Sequence, residues 1–207
     1  MRTPERTREL GEVFTSQRDV QAILNLLEDV NYSSRYLEPG CGSGNFLVEI
    51  LSRKCDLVKG LQEVKDDLKR GSTSELRLKL LIAVASVYGI DIDKLNVSES
   101  RERAFSEVEA FYLETTKEKT LPESFARALR FILANNIILG DLLETPSNIT
   151  IWEYSELPGL KVNLRLFNYS DLLYPEDEVF DDTLRLFGHV PQATKDLGPV
   201  YFENLGE

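Results

Sequence analysis

The stretch Leu37–Leu47, which runs Leu-Glu-Pro-Gly-Cys-Gly-Ser-Gly-Asn-Phe-Leu, constrains the fold more than any other part of the chain. A short apolar run leads into a carboxylate, three alternate glycines follow it, and a helical pattern begins directly after them. Because glycine lacks a Cβ and readily adopts a positive φ, such a loop lets backbone N–H groups approach a ligand at the start of a helix. The stretch therefore predicts a strand, a tight ligand-binding loop and a helix start.

The register of the glycines and the preceding carboxylate narrow the choice of ligand. The dinucleotide fingerprint Gly-x-Gly-x-x-Gly is not met, because Asn45 stands three positions after Gly42. Glu38 would repel a pyrophosphate at this turn, whereas it would favour a ligand that carries an ammonium or a sulfonium cation. These residues point to S-adenosylmethionine, and a plain strand-to-helix turn is the alternative interpretation of Glu38.

Length and charge restrict the class of protein. A chain of 207 residues fits one domain of ordinary size. The formal net charge of −11 argues against unaided binding to DNA, since affinity for DNA depends on neutralising phosphates with Lys and Arg. Any role on nucleic acid would then need a basic partner.

The cysteines and the hydropathy pattern bear on compartment and metals. Cys41, Cys55 and the single His189 give neither a zinc-binding spacing nor a disulfide framework. No apolar run is long enough to span a bilayer, and residues 1–10 show no charged-then-apolar leader. We therefore expect a cytoplasmic protein with no membrane segment and no metal.

Strands that alternate with helices predict an α/β fold with a parallel sheet, right-handed crossovers and helices on both faces. A helix is expected to begin at Thr15 or Ser16, and the helix after the glycine loop is expected to end near Arg53 and Lys54. The predicted strands begin at Tyr36 and fall within residues 86–93 and 136–141; the other predicted helices include Leu76–Val84, a long charged helix through Thr115 and one that Pro122 opens. Residues 59–74 are predicted to form an insertion between the first two strands.

The texture of the chain changes after Leu143. Residues 149–154 and 162–166 alternate in polarity around Pro158-Gly159, which predicts a β-hairpin. The tail from Tyr174 is expected to be more loop than core, with a short helical pattern at Phe180–Phe187. We therefore divide the chain into a main part, residues 1–145, and a hairpin and loop-rich extension of the same domain, residues 146–207. Trp152 in the hairpin either stacks on a base or forms one face of a sheet.

Four blocks of sequence together resemble the cofactor half of adenine-specific DNA methyltransferases from bacterial restriction–modification systems. They are Gly11–Thr15, Leu37–Leu47, Tyr88–Asp93 and Asn136–Leu143, and they occur in the order that the family shows. The resemblance covers about the first 145 residues. It implies a Rossmann-like sheet of the class I methyltransferase type and S-adenosylmethionine as the cofactor.

The resemblance assigns two groups of residues to the methionine end of the cofactor. Thr15 would donate a hydrogen bond to the methionine carboxylate, and Glu38 with the backbone of Gly40 and Gly42 would line the amino and sulfonium region. The alternative for Thr15 is that it merely caps its helix, since Thr is a good N-cap residue.

The resemblance assigns four further residues to the nucleoside. Asp91 would accept hydrogen bonds from both ribose hydroxyls, and Ile92 would pack on the adenine ring. Asp141 would accept from the adenine amino group, with Leu142 against the ring face, although Asp141 alternatively caps a helix. For the neighbouring Asp93 we expect a helix cap or a solvated acid.

The motif that would complete catalysis in this family does not occur in the sequence. Adenine-specific members carry an Asn/Asp-Pro-Pro-Tyr/Phe motif that grips the flipped target base, and neither this run nor a target-recognition region is found. Cys41 does not supply a catalytic nucleophile in its place, because the single histidine of the sequence, His189, lies in the tail. We therefore interpret Cys41 as a small loop residue. The chain therefore resembles a truncated, cofactor-binding half with no catalytic residue of its own.

Three functions remain open from the sequence. In the first, the chain binds S-adenosylmethionine for a methyltransferase whose catalytic half either comes from a second polypeptide, which would also supply the contact with DNA, or was lost through truncation of a longer gene. Alternatively, the fold serves as a non-catalytic partner-binding or regulatory module. A small-molecule methyltransferase with an unusual acceptor site requires more assumptions, because Glu12–Thr15 resembles the DNA enzymes specifically. Fold alone does not separate these functions.

Overall fold

The helices and strands follow the alternation that the sequence predicts. A computed structural model describes residues 15–27, 30–145, 148–173 and 192–207. The helices are α1 (Gln17–Leu24), α2 (Asn45–Gly60), α3 (Gln62–Lys69), α4 (Ser74–Ala85), α5 (Lys94–Thr116), α6 (Glu123–Asn136) and α7 (Tyr169–Leu173). The strands are β1 (Tyr36–Pro39), β2 (Val87–Asp91), β3 (Ile137–Leu139), β4 (Thr150–Leu157), β5 (Lys161–Asn168) and β6 (Lys195–Tyr201). The residues Gly11 to Phe14, the pattern at Phe180–Phe187 and His189 lie outside the described residues.

The first three strands form a parallel sheet in the order β1-β2-β3. Glu38 is paired with Gly89, and Asp91 is paired with Leu139, so the carboxyl ends of all three strands meet at one edge. All five residues of β2 are buried, as expected for the central strand of a parallel sheet. The α/β class and the parallel sheet are thereby confirmed.

The two faces of β2 contact different parts of the chain. On the side of Gly89, the fully buried Leu47 of α2 packs so closely that no Cβ would fit. On the side of Tyr88, the phenol donates a hydrogen bond of 2.7 Å to the carbonyl oxygen of Trp152 in β4. Because successive side chains of a strand point to opposite faces, α2 and β4 cover opposite sides of β2.

A second, antiparallel sheet of three strands in the order β4-β5-β6 follows the parallel one. The hairpin of β4 and β5 is confirmed, with Gly159 at φ +79° in its turn. Trp152 packs against the hydrophobic core, so the interpretation as one face of a sheet is confirmed.

The end of the chain differs from the loop-rich tail that we expect from its sequence. Residues Lys195–Tyr201 pair with β5, and Phe202 and Leu205 beyond them are buried. Gly198 and Pro199 lie inside this strand next to a register shift, where an edge strand tolerates both residue types. The expectation of a loop-rich tail reflects the usual preference of Gly and Pro for turns.

The helix after the glycine loop is longer than expected, and the insertion that follows it is partly helical. Helix α2 continues to Gly60, and the insertion contains α3 and leads directly into α4. Lys54, expected near the end of α2, is instead fully buried within it. Its Nζ donates to the carbonyl oxygens of Tyr32 and Ser34 and to Ser86 Oγ, and burial lowers its pKa to about 7. Lys54 thus ties the turn before β1 to the end of α4.

None of the helices in the described ranges has both the length and the apolar character needed to cross a membrane.

Gly89 provides a test of the packing between the sheet and α2. A Cβ at this position would lie 2.7 Å from Leu47 Cδ1 and 3.0 Å from Cys41 Sγ. We expect Gly89→Ala to lower the free energy of unfolding by about 1–3 kcal/mol through overpacking, and to lower the Tm by roughly 3–10 °C. Calorimetry measures both quantities. Gly60→Ala is the control, because a Cβ there meets nothing within 4 Å; equal stability of the two variants would contradict the packing described here.

Candidate functional site at the glycine loop

The loop between β1 and α2 has a backbone that only glycine adopts without strain. Gly40, Gly42 and Gly44 have φ values of +91°, +53° and +84°. A Cβ at Gly40 or Gly42 would meet nothing within 4 Å, so their requirement for glycine comes from φ alone. At Gly44 a Cβ would also lie 2.9 Å from Ser100 Oγ.

The loop is fastened to the end of β2 by its own N–H groups. Gly40 and Cys41 both donate to the carbonyl oxygen of Ile90, at 2.7 and 2.9 Å. Gly42 donates to Asp91 Oδ2 at 2.8 Å. Several donors of the loop are therefore used within the protein to fix its shape.

Asp91 is buried, and three donors already occupy its carboxylate. Besides Gly42 on one oxygen, Oδ1 accepts from the Asp93 N–H at 2.8 Å and from Asn96 Nδ2 at 3.3 Å. An ionised carboxylate offers about four acceptor positions, so about one remains for a ligand. The resemblance assigns both ribose hydroxyls to Asp91, and that role stays a prediction. Asp93 accepts from the N–H of Leu95 as the N-cap of α5, which confirms the expected helix cap.

Glu38 differs from Asp91 in its surroundings, since none of the described residues is its partner. Its side chain is partly buried, and no hydrogen bond or ion pair joins it to any residue that the structure describes. Burial raises the pKa of its carboxyl above the usual value of 4.5. A half-buried carboxylate without a counter-charge favours a cationic ligand.

Thr15 lies against the start of α2. Its carbonyl oxygen accepts a hydrogen bond of 3.1 Å from Asn45 Nδ2. The N-cap of α1 is Ser16, whose Oγ accepts from the Asp19 N–H at 3.3 Å. The predicted helix start is thereby confirmed, whereas the alternative that Thr15 is the cap is wrong. The structure brings Thr15 and the glycine loop together.

The residues assigned to the adenine ring lie at the ends of β2 and β3. The Gly140 N–H donates to the Asp91 carbonyl oxygen at 3.0 Å, which joins the two strand ends. Asp141 Oδ1 accepts from the N–H groups of Leu143 and Glu144, so this carboxylate caps a turn. Ile92 is 57% exposed and Leu142 is partly buried, so the Ile92 side chain is accessible to a ligand.

Two residues of α5 hold the loop from the other side, and the sequence patterns do not indicate them. Ser100 Oγ donates to the Gly42 carbonyl oxygen at 2.8 Å. Arg103 Nη1 donates to the Ser43 carbonyl oxygen at 2.6 Å and to Asn45 Oδ1 at 2.9 Å. Their only signal in the sequence is the spacing of Asn96, Ser100 and Arg103, which places three polar side chains on one helix face.

A cavity of about 510 Å³ lies away from this site, between α1, β1 and α2. Its walls include Leu24, Tyr36, Ile50 and Leu57, and it includes none of the residues assigned to the cofactor. Among the described residues, no group of three or more His, Cys, Asp or Glu side chains is placed to hold a metal ion.

Cys41 has the environment of a structural thiol. It is 7% exposed, and burial raises its pKa to about 12, so the reactive thiolate is scarce at neutral pH. Cys55 is also buried, and its pKa is raised to about 12 for the same reason.

We therefore expect both cysteines to react slowly with a thiol reagent in the folded protein. With Ellman's reagent at pH 8, the native chain should release much less than one equivalent of chromophore in the time that the chain in 6 M guanidinium chloride releases two. Rapid reaction of one thiol, lost in Cys41→Ser, would instead identify Cys41 as an activated nucleophile.

Comparisons of the chain with protein-family models, with curated proteins and with solved structures gave no match.

Proposed function

We propose that this chain binds S-adenosylmethionine as the cofactor-binding portion of an adenine-specific DNA methyltransferase, with a Rossmann-like sheet as its core. The observation that carries the proposal is Glu38, a half-buried carboxylate without a partner among the described residues, beside a glycine loop at the start of a helix. S-Adenosylmethionine carries a sulfonium and an ammonium, which are the charges that such a carboxylate stabilises.

At the methionine end, the ligand cations lie near Glu38 and the methionine carboxylate lies near Thr15. Thr15 is available for this contact because Ser16, and not Thr15, caps α1. The backbone of Gly40 and Gly42 borders the same region.

At the nucleoside end, Asp91 supplies its remaining acceptor position to the ribose, and Ile92 and Leu142 cover the adenine ring. Asp141 is held by two N–H groups and keeps acceptor capacity for the adenine amino group. These residues lie at the carboxyl edge of a parallel sheet, where open α/β folds bind their ligands.

Methyl transfer itself needs a grip on the target adenine and a contact with DNA, which a second polypeptide or a further part of a longer protein would supply. The sequence contains no Asn-Pro-Pro-Tyr-type run, and the net charge of −11 opposes approach to a polyanion. The chain alone is accordingly inactive on DNA, and a methyl-transfer assay with labelled cofactor that gave robust turnover would overturn this part of the proposal.

The charge of Glu38 gives the sharpest test of cofactor binding. We expect calorimetry at pH 7 to detect S-adenosylmethionine binding and Glu38→Gln to weaken it at least tenfold, or about 1.4 kcal/mol. Because the free carboxyl has a pKa above 4.5, affinity should fall as the pH is lowered from 7 to 5 and Glu38 takes up a proton. The amino group of the ligand stays protonated in this range.

Two controls accompany this measurement. Glu38→Gln should bind with an affinity that varies less between pH 7 and 5, so the difference in affinity between the two proteins should narrow as the pH falls. Glu114→Gln removes an exposed carboxylate late in α5 and should leave the affinity unchanged. An unchanged affinity of Glu38→Gln at pH 7 would show that Glu38 does not face the cation.

One observation favours a non-catalytic, partner-binding module instead. The carboxylates of Asp91 and Asp141 both accept backbone N–H groups, as they would in a protein that uses them only for structure. This second function predicts no detectable binding of S-adenosylmethionine even at millimolar concentration.

A further inference from the structure

Both ends of the Asn45 side-chain amide are used, and they face in different directions. Nδ2 donates to the Thr15 carbonyl oxygen at 3.1 Å, while Oδ1 accepts from Arg103 Nη1 at 2.9 Å. A carbonyl on one side and a guanidinium on the other leave one orientation of the amide that satisfies both partners. Asn45 therefore bridges the segment before α1 and helix α5.

The Arg103 end of this bridge is firmly held. The same Nη1 donates to the carbonyl oxygen of the buried Ser43 at 2.6 Å. Ser100, one turn earlier in α5, binds the Gly42 carbonyl oxygen and lies against Gly44. Asn45 is thus hydrogen-bonded to α5 on one side and to the Thr15 backbone on the other.

We propose that Asn45 is a positioning residue that holds Thr15 over the methionine end of the cofactor site and thereby favours ligands that carry an amino-acid group there. The inference rests on the proposed function. It also explains the register of the loop, since the dinucleotide fingerprint requires glycine at this position, and glycine has no side chain with which to reach Thr15.

Asn45→Asp separates this role from simple support of the fold. The carboxylate still accepts from Arg103, now with opposite charge, and it begins α2, where a negative charge is favourable. It cannot donate to the Thr15 carbonyl oxygen. We expect an unchanged or higher Tm together with an affinity for S-adenosylmethionine at least tenfold weaker, and an affinity for 5′-methylthioadenosine, which lacks the amino-acid group, within twofold of wild type.

A double-mutant cycle with Thr15→Val distinguishes loss of positioning from repulsion by the new charge. If Asn45 acts through Thr15, Asn45→Asp should cost much less affinity in the Thr15→Val background than in the wild type. Equal costs in the two backgrounds would overturn the proposal. Asn135→Asp is the matched control, because its Nδ2 donates to the Phe131 carbonyl oxygen at 2.8 Å in α6, and it should leave both affinities unchanged.

A measurement without ligand keeps this inference distinct from the proposed function. If wild type binds no S-adenosylmethionine, the proposed function fails, while the link itself is still tested by amide hydrogen exchange. Asn45→Asp should increase exchange in α1, whose first turn follows Thr15, and leave α5 unchanged. Wild-type protection throughout α1 in this variant would show that Asn45 does not hold the segment.

Discussion

The carboxyl edge of the parallel sheet depends on Asp91. Its carboxylate binds the Gly42 N–H in the loop after β1 and the Asp93 N–H at the start of α5, and its carbonyl oxygen binds the Gly140 N–H after β3. One residue thus joins the connections that follow all three strands. Because these connections carry every residue assigned to the cofactor except Glu38, Thr15 and Asp91 itself, Asp91 fixes the relative positions of most of the site.

The carboxylates of Asp91 and Glu38 have different roles in this arrangement. Three N–H donors contact the Asp91 carboxylate, so about one acceptor position is left. These hydrogen bonds hold the loop in place without a ligand. Glu38 makes no such bond among the described residues, and burial raises its pKa. A preformed loop reduces the ordering that binding requires, while the unpartnered charge supplies attraction. Glu38 therefore accounts for the proposed affinity for a cation, whereas Asp91 and α5 determine the geometry of the loop.

Sequence patterns predict those features of the fold that depend on residues close together in the chain. The glycine loop, the start of α1 and the turn at Pro158-Gly159 follow from local backbone preferences, and the parallel sheet follows from the alternation of strands and helices. Ser100 and Arg103 contact loop residues about 60 positions earlier, and no local pattern encodes such a contact. Lys54 illustrates the same limit. A lysine in a helix is normally exposed to solvent, whereas Lys54 is buried and donates hydrogen bonds to three oxygens from distant segments.

Competition between roles accounts for the other differences. The resemblance assigns Asp91 to the ribose hydroxyls of a ligand, and in the folded chain three N–H donors of the protein already contact the same carboxylate. In β6 the turn preference of Gly198 and Pro199 yields to pairing with β5. The type of a residue limits the groups that it can bind, and the tertiary structure determines which of those groups it contacts.

The position of the antiparallel sheet bears on how a methyltransferase would be completed. Its strand β4 contacts the Tyr88 side of β2, whereas Glu38 is paired with Gly89, whose side faces α2. Paired residues of a parallel sheet share a face, so β4 lies on the side of the sheet opposite to Glu38. The described part of β4 and β5 therefore stabilises the sheet without reaching the carboxylate that would hold the methyl donor. The described part of β4 and β5 is therefore not expected to grip an acceptor base beside that donor, in keeping with the proposal that another part of the enzyme does so.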